Sequence, residues 1–135
     1  MIQEGDIFSH EFSFSQEQVR AFAEVTGDSN PIHLDAEYAS QTPFKQPIIH
    51  GMLGAAVFSK VFGTLFPGEG TVYLGQTLQF KRPMYVDTPY VSSFQVTEID
   101  RKKHQAKVRV EIKNAEGRAK VVLDGEALVM HAEKI

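Results

Sequence analysis

The sequence predicts an α+β fold, a long antiparallel sheet curved around one buried helix. Three observations carry that reading. Residues 50–66 form a single stretch that is apolar almost all round, HGMLGAAVFSKVFGTLF. The C-terminal half is a series of segments alternating apolar with polar residues, so each strand has one buried and one wetter face, as in antiparallel sheets. Several of these segments run to about ten residues, which is long for a flat sheet and favours twist and curvature. A helix buried on most sides and a curved sheet pack as two layers, with the sheet around the helix.

The elements follow in chain order. Residues 6–14 alternate, with Phe8, His10, Phe12 and Phe14 on one face, and predict a strand. Ser15 then reads as an N-cap, with Gln18 completing a capping box. The helix it starts carries Val19, Phe22, Ala23 and Thr26 on one stripe and stops at Gly27. Asp28-Ser29-Asn30-Pro31 reads as a turn, because the residue before proline is driven out of the helical region. Asp35 caps a short helix over 36–41, and Pro43 and Pro47 bracket a loop. The buried helix over 50–66 would be roughly 25 Å long, and Pro67-Gly68 ends it. Four strands follow. Val72, Leu74, Leu78 and Phe80 share a face in the first; Tyr90, Ser92, Phe94 and Val96 in the second; Ala106, Val108, Val110 and Ile112 in the third. After a hairpin turn at Asn114-Ala115-Glu116-Gly117, the last strand sets Ala119, Val121, Leu123, Ala127 and Val129 on one face.

Composition narrows the function classes. A chain of 135 residues fits one domain, 1–135, and 42% hydrophobic with 23% charged residues is an ordinary globular balance. The net charge of −3 and the lack of a dominant basic cluster argue against nucleic-acid binding. Arg101, Lys102 and Lys103 read as a solvated turn, or as a patch for a phosphate-bearing arm. The absence of cysteine excludes disulfides, thiolate metal sites and a cysteine nucleophile. The N-terminal residues show no signal-peptide pattern, and His50, Ser59, Lys60 and the glycines of 48–66 mark a core helix rather than a membrane span. The expected location is the cytoplasm.

The chemistry concentrates around the turn. Asp28 and His33 flank Asn30-Pro31 in the order D-S-N-P-I-H. A rigid turn can hold a carboxylate and an imidazole about one water apart, the arrangement that general acid–base catalysis needs. The competing reading is that Asp28 merely bonds the backbone of the turn. Gly51 falls in the first turn of the buried helix, where backbone N–H groups lack helical partners and the dipole favours negative charge. Its amide can therefore stabilise an oxyanion, or the glycine can simply allow close packing. His50 reads as a core histidine bonded to backbone. Ser59 is a hydroxyl on the same helix that needs a partner, either a carbonyl one turn back or the catalytic pair; without a G-x-S-x-G context it is no nucleophile. Asp28, His33, Asp35 and His50 are ligand types but lack metal-site spacing, so no metal is expected. No glycine-rich nucleotide loop follows a strand.

These residues also carry a family resemblance. DSNPIHLD at 28–35, IIHGMLGAAVFS at 48–59 and YLGQTLQFKRPMYV at 73–86 resemble the MaoC-like (R)-specific enoyl-CoA hydratases of the short single-hotdog type, linked to polyhydroxyalkanoate supply and fatty-acid oxidation. The likeness runs from about Phe14 to Met130. It implies a hotdog fold, a homodimer with active sites near the dimer interface, and (R)-specific hydration of trans-2-enoyl-CoA. By the same likeness Asp28 and His33 are the catalytic pair, with Asp28 expected as the base. Gly51 N–H is the thioester oxyanion donor, and Ser59, Asn30 and His50 support the pair from behind. Lys81, Arg82 and the 101–103 run are expected to meet the phosphates of coenzyme A, which is part of the substrate rather than a separate cofactor. The sequence departs from the family pattern at Asp87-Thr88, where a glycine and an acidic residue are expected. Two alternatives stay open, a hotdog thioesterase and a non-catalytic acyl-CoA-binding module.

Overall fold

A computed structural model describes residues 1–135. Six strands form one antiparallel sheet in the order β1-β4-β5-β6-β2, with a short β3 also paired to β6. The strands are β1 (Ile7–Phe12), β2 (Val72–Gln76), β3 (Gln79–Phe80), β4 (Tyr90–Asp100), β5 (Gln105–Asn114) and β6 (Val121–Met130). The helices are α1 (Gln16–Thr26), α2 (Pro31–Leu34), α3 (Ala36–Ser40) and α4 (Gly51–Thr64). No helix is long and apolar enough to cross a membrane.

Helix α4 lies on one face of the sheet, as the hotdog fold requires. Phe58 and Phe62 meet Phe94 of β4 edge-on, and Phe62 also meets Tyr73 of β2. The core cluster of 22 buried residues joins Leu53, Val57, Phe58, Val61 and Phe62 of α4 to Phe94, Val96, Val108, Val110, Ile112, Leu123 and Val129 of the sheet. At Gly54, a side chain would strike the Met84 thioether, so the absence of a Cβ is what lets Met84 lie between α4 and Leu123.

Local signals formed as expected at several points. Ser15 and Gln18 make the reciprocal capping box of α1, and Gly27 ends that helix in the left-handed conformation at φ 80°. Asp35 caps α3 by accepting from Tyr38 N–H at 3.1 Å. β4 buries Tyr90, Ser92, Phe94 and Val96, and β5 buries Ala106, Val108, Val110 and Ile112.

Five expectations need correction. Thr26 is exposed; its hydroxyl donates to Phe22 O at 2.7 Å instead of facing the core. The turn after Asp28 contains a one-turn helix, α2, which places Pro at its first position. The expected strand 72–80 breaks into β2 and β3. The break comes where Gly125 of β6 sits directly against the Thr77 carbonyl, leaving no room for a Cβ, and Val72, Leu74 and Phe80 are exposed. β6 pairs Ile112 with Leu123 and Lys113 with Val121, so Val122 bulges and is buried, whereas Ala119 is exposed. Finally, α4 has a wet face carrying Met52, Ala56, Ser59, Lys60 and Gly63.

Candidate active site

The turn between α1 and α2 meets the N-terminus of α4 at a cavity of about 470 Å³ lined by Asp28, His33, His50 and Gly51 among others. That volume lies within the usual range for small-molecule pockets. Its walls are largely apolar, from Phe44, Ile48, Ile49, Phe80, Met84, Val122 and Leu123, while Lys81 and Arg82 also line it.

His33 is held on α2, and its Nδ1 lies 2.7 Å from Ile48 O. A carbonyl only accepts, so Nδ1 carries the proton and Nε2 keeps a lone pair. Gln16 of α1 pins the same residue from behind by donating to His33 O at 2.9 Å. The His33 pKa is pushed below the usual imidazole value, mainly by burial. The Ile48 hydrogen bond and Asp28 oppose that shift, and His50 adds to it. The favoured form is therefore neutral, with a free acceptor.

Asp28 contributes through its carboxylate, which is exposed and makes no hydrogen bond within the protein. Its main chain is fixed instead, by N–H donation to Thr26 Oγ1 at 3.2 Å and by His50 Nε2 at 2.9 Å from its carbonyl. The reading of Asp28 as a turn-capping side chain is thereby excluded. One polar atom from each of Asp28, His33 and His50 lies within 4.8 Å of the others. His33 and His50 stack face to face with ring centroids 3.8 Å apart and planes 27° apart.

Gly51 opens α4, and its N–H finds no acceptor in the protein. A free amide at a helix N-terminus, inside an apolar cavity, is a preorganised site for a developing negative oxygen. The Phe80 ring lies over Gly51 so closely that a Cβ there would come within 2.6 Å of it.

The remaining expected residues divide. Lys81 and Arg82 do line the cavity, but both are engaged: Lys81 Nζ pairs with Asp124 at 2.9 Å, and Arg82 Nη1 donates to Val121 O at 2.6 Å. Arg101, Lys102 and Lys103 lie outside it; Arg101 instead bonds Ile2 O and Ile135 O, tying the chain ends together. Asn30 caps α2 by accepting from Ile32 N–H at 3.2 Å and does not line the cavity. Ser59 is exposed and makes no hydrogen bond in this chain. Eight residues after Gly51, it sits about 80° around the helix from it at 3.6 residues per turn. The sequence reading did not foresee that the backbone partner of His50 is Asp28 itself, nor that Met84 and Phe80 wall the site.

Comparison with known proteins shows the family. The family model described as "MaoC like domain" matches residues 2–118. An (R)-specific enoyl-CoA hydratase from Aeromonas caviae is 40% identical over 116 residues, covering 86% of this chain and 85% of the relative. A 3-hydroxybutyryl-CoA dehydratase from Methylorubrum extorquens is 40% identical over 120 residues, covering 89% and 74%. The solved (R)-hydratase from A. caviae, described as involved in PHA biosynthesis, superposes with a TM-score of 0.91 at 36% identity, covering 96% of this chain and 97% of that one. With the pair on its turn, the open amide at the helix start and a sheet around that helix, the chain belongs to the MaoC-like family of hotdog proteins.

Proposed function

We propose that this chain hydrates trans-2-enoyl-coenzyme A to (R)-3-hydroxyacyl-coenzyme A, and reverses the reaction, with no cofactor beyond the coenzyme A of its substrate. The observation that carries this reading is two water-accepting groups, the Asp28 carboxylate and His33 Nε2, in one cavity with the unpartnered Gly51 N–H. The names of the Aeromonas and Methylorubrum relatives support the same chemistry.

The thioester oxygen sits on Gly51 N–H, which draws electron density from the double bond and leaves C3 electrophilic. One water donates an O–H to Asp28 and the other to His33 Nε2. Asp28 takes its proton as the oxygen bonds to C3, and the enolate charge rests on the Gly51 amide and the helix dipole. A proton then returns from the pair to C2, so one water's oxygen and hydrogen add to one face. Phe80 over Gly51 adds an apolar wall beside the amide. The phosphates of the coenzyme A arm lie toward Lys81 and Arg82.

A homodimer belongs to the same reading. The wet face of α4 offers Met52 at 58% exposure, and edge strand β2 offers Val72 and Leu74 at 45% each. Apolar surface on a helix face and on a sheet edge is what a second copy covers.

Incubation with crotonyl-CoA tests the proposal. Loss of enoyl absorbance without thiol release is expected. Release of free coenzyme A would instead make the protein a thioesterase, and binding without either change would make it an acyl-CoA-binding module.

A further inference from the structure

His50 is buried to 2% exposure, and its two ring nitrogens have unlike surroundings. Nε2 faces the Asp28 carbonyl at 2.9 Å, and because that oxygen can only accept, Nε2 carries a proton. Nδ1 is enclosed and has no partner at all. A proton on Nδ1 would be a buried, unpaired donor bearing charge, far costlier than a bare lone pair. The structure therefore holds neutral His50 as the Nε2–H tautomer. Its ring lies between two others, His33 at 3.8 Å and Phe22 of α1 at 4.9 Å. The ionisable groups around His33 are Asp28 on the turn and His50 at the start of α4, with Lys81 and Arg82 farther along the same cavity, already bonded to Asp124 and Val121 O.

We propose that His50 is a positioning residue of this site: it anchors the Asp28 main chain through Nε2–H and presents an aromatic face to His33. Both acceptors then stay aimed at one water, and His33 enters each turnover neutral. The kinetic part of this inference rests on the hydratase reading; the spectroscopic part rests on the geometry alone.

Two variants separate the two contacts. His50→Phe keeps the aromatic face and removes the donor to Asp28. His50→Gln keeps an N–H for Asp28 and removes the face, letting water reach the His33 ring. With crotonyl-CoA, His50→Phe should lose about 10²-fold in kcat, the scale of a small misplacement at a reacting centre, with its acid limb where it was. His50→Gln should lose less in kcat than His50→Phe, because its N–H still holds the Asp28 carbonyl. Its acid limb, and the His33 imidazole titration followed by nitrogen-15 NMR, should move together toward the ordinary value of 6.5.

In the unaltered full chain, the same NMR should show neutral His50 as the Nε2–H tautomer. The Nδ1–H tautomer would overturn the proposal without any variant having to fold. Wild-type kcat in both variants, or an unmoved His33 titration in folded His50→Gln, would overturn it as well. If the tautomer and titration behave as stated but the wild-type protein hydrates nothing, the positioning geometry stands and the hydratase reading falls.

Discussion

Replacing Asp28 by asparagine separates chemistry from fold at a single atom. The structure fixes residue 28 through its main chain, by Thr26 Oγ1 and His50 Nε2, and gives its carboxylate no partner in the protein. Asparagine has the same shape and leaves both main-chain contacts intact. Folding stability should therefore change by no more than about 0.5 kcal/mol, as for an exposed side chain without a structural role. Activity should change far more, because the amide cannot take a proton from water. Loss of a positioned general base costs about 10²–10⁴ in rate, or about 3–5 kcal/mol of barrier. Initial rates with crotonyl-CoA beside calorimetric melting of the same preparations give both quantities. Near-normal turnover would refute Asp28 as the base. A large fall in melting temperature alongside the lost rate would show that the carboxylate supports the turn after all.

Other consequences can be checked in parallel. Burial lowers the His33 pKa below 6.5, so its neutral form should persist on acidification and the acid limb of kcat/KM should lie below that value; a limb above it would contradict the assignment. The sign for stability follows from the same shift. The unfolded chain binds the proton first, so stability from neutral His33 is present above pH 6.5 and is lost as pH falls through the lowered folded value, which denaturation across that window will show. Met84→Ala empties the space over Gly54 beside Leu123 and should cost about 2–5 kcal/mol in chemical denaturation. Gly125→Ala drives a methyl into the Thr77 carbonyl, a backbone atom that cannot swing aside, and should cost at least about 1–3 kcal/mol. Lys81→Ala should raise KM for crotonyl-CoA and weaken its dependence on salt, with little change in kcat.

The elements legible in the sequence were those whose signals are local. The Ser15–Gln18 box, the Asp35 cap and the alternation of β4 and β5 depend on neighbours a few residues away. The Asp28–His33 pair was legible because one rigid turn carries both. Features set by distant contacts were not. The break between β2 and β3 answers to Gly125, far along the chain, and the bulge at Val122 answers to its pairing with β5. Helix α4 hid its wet face because glycine, alanine, methionine and serine surround Lys60 on that side and give little contrast with its core side. The departure at Asp87 has a physical reading: residue 87 has φ 54°, the left-handed region that glycine enters most easily and that aspartate tolerates. The tie from His50 to the Asp28 carbonyl spans 22 residues, beyond any local pattern.

The stereochemistry of the product decides between this account and its rivals. Crotonyl-CoA turned over by the protein is passed separately to stereospecific (R)- and (S)-3-hydroxyacyl-CoA dehydrogenases. The proposed hydration, with the (R)-specificity that the Aeromonas relative's name carries, predicts a product oxidised only by the (R)-enzyme. A product read by the (S)-enzyme, or no hydrated product from short or medium chains, would contradict the mechanism derived from this site.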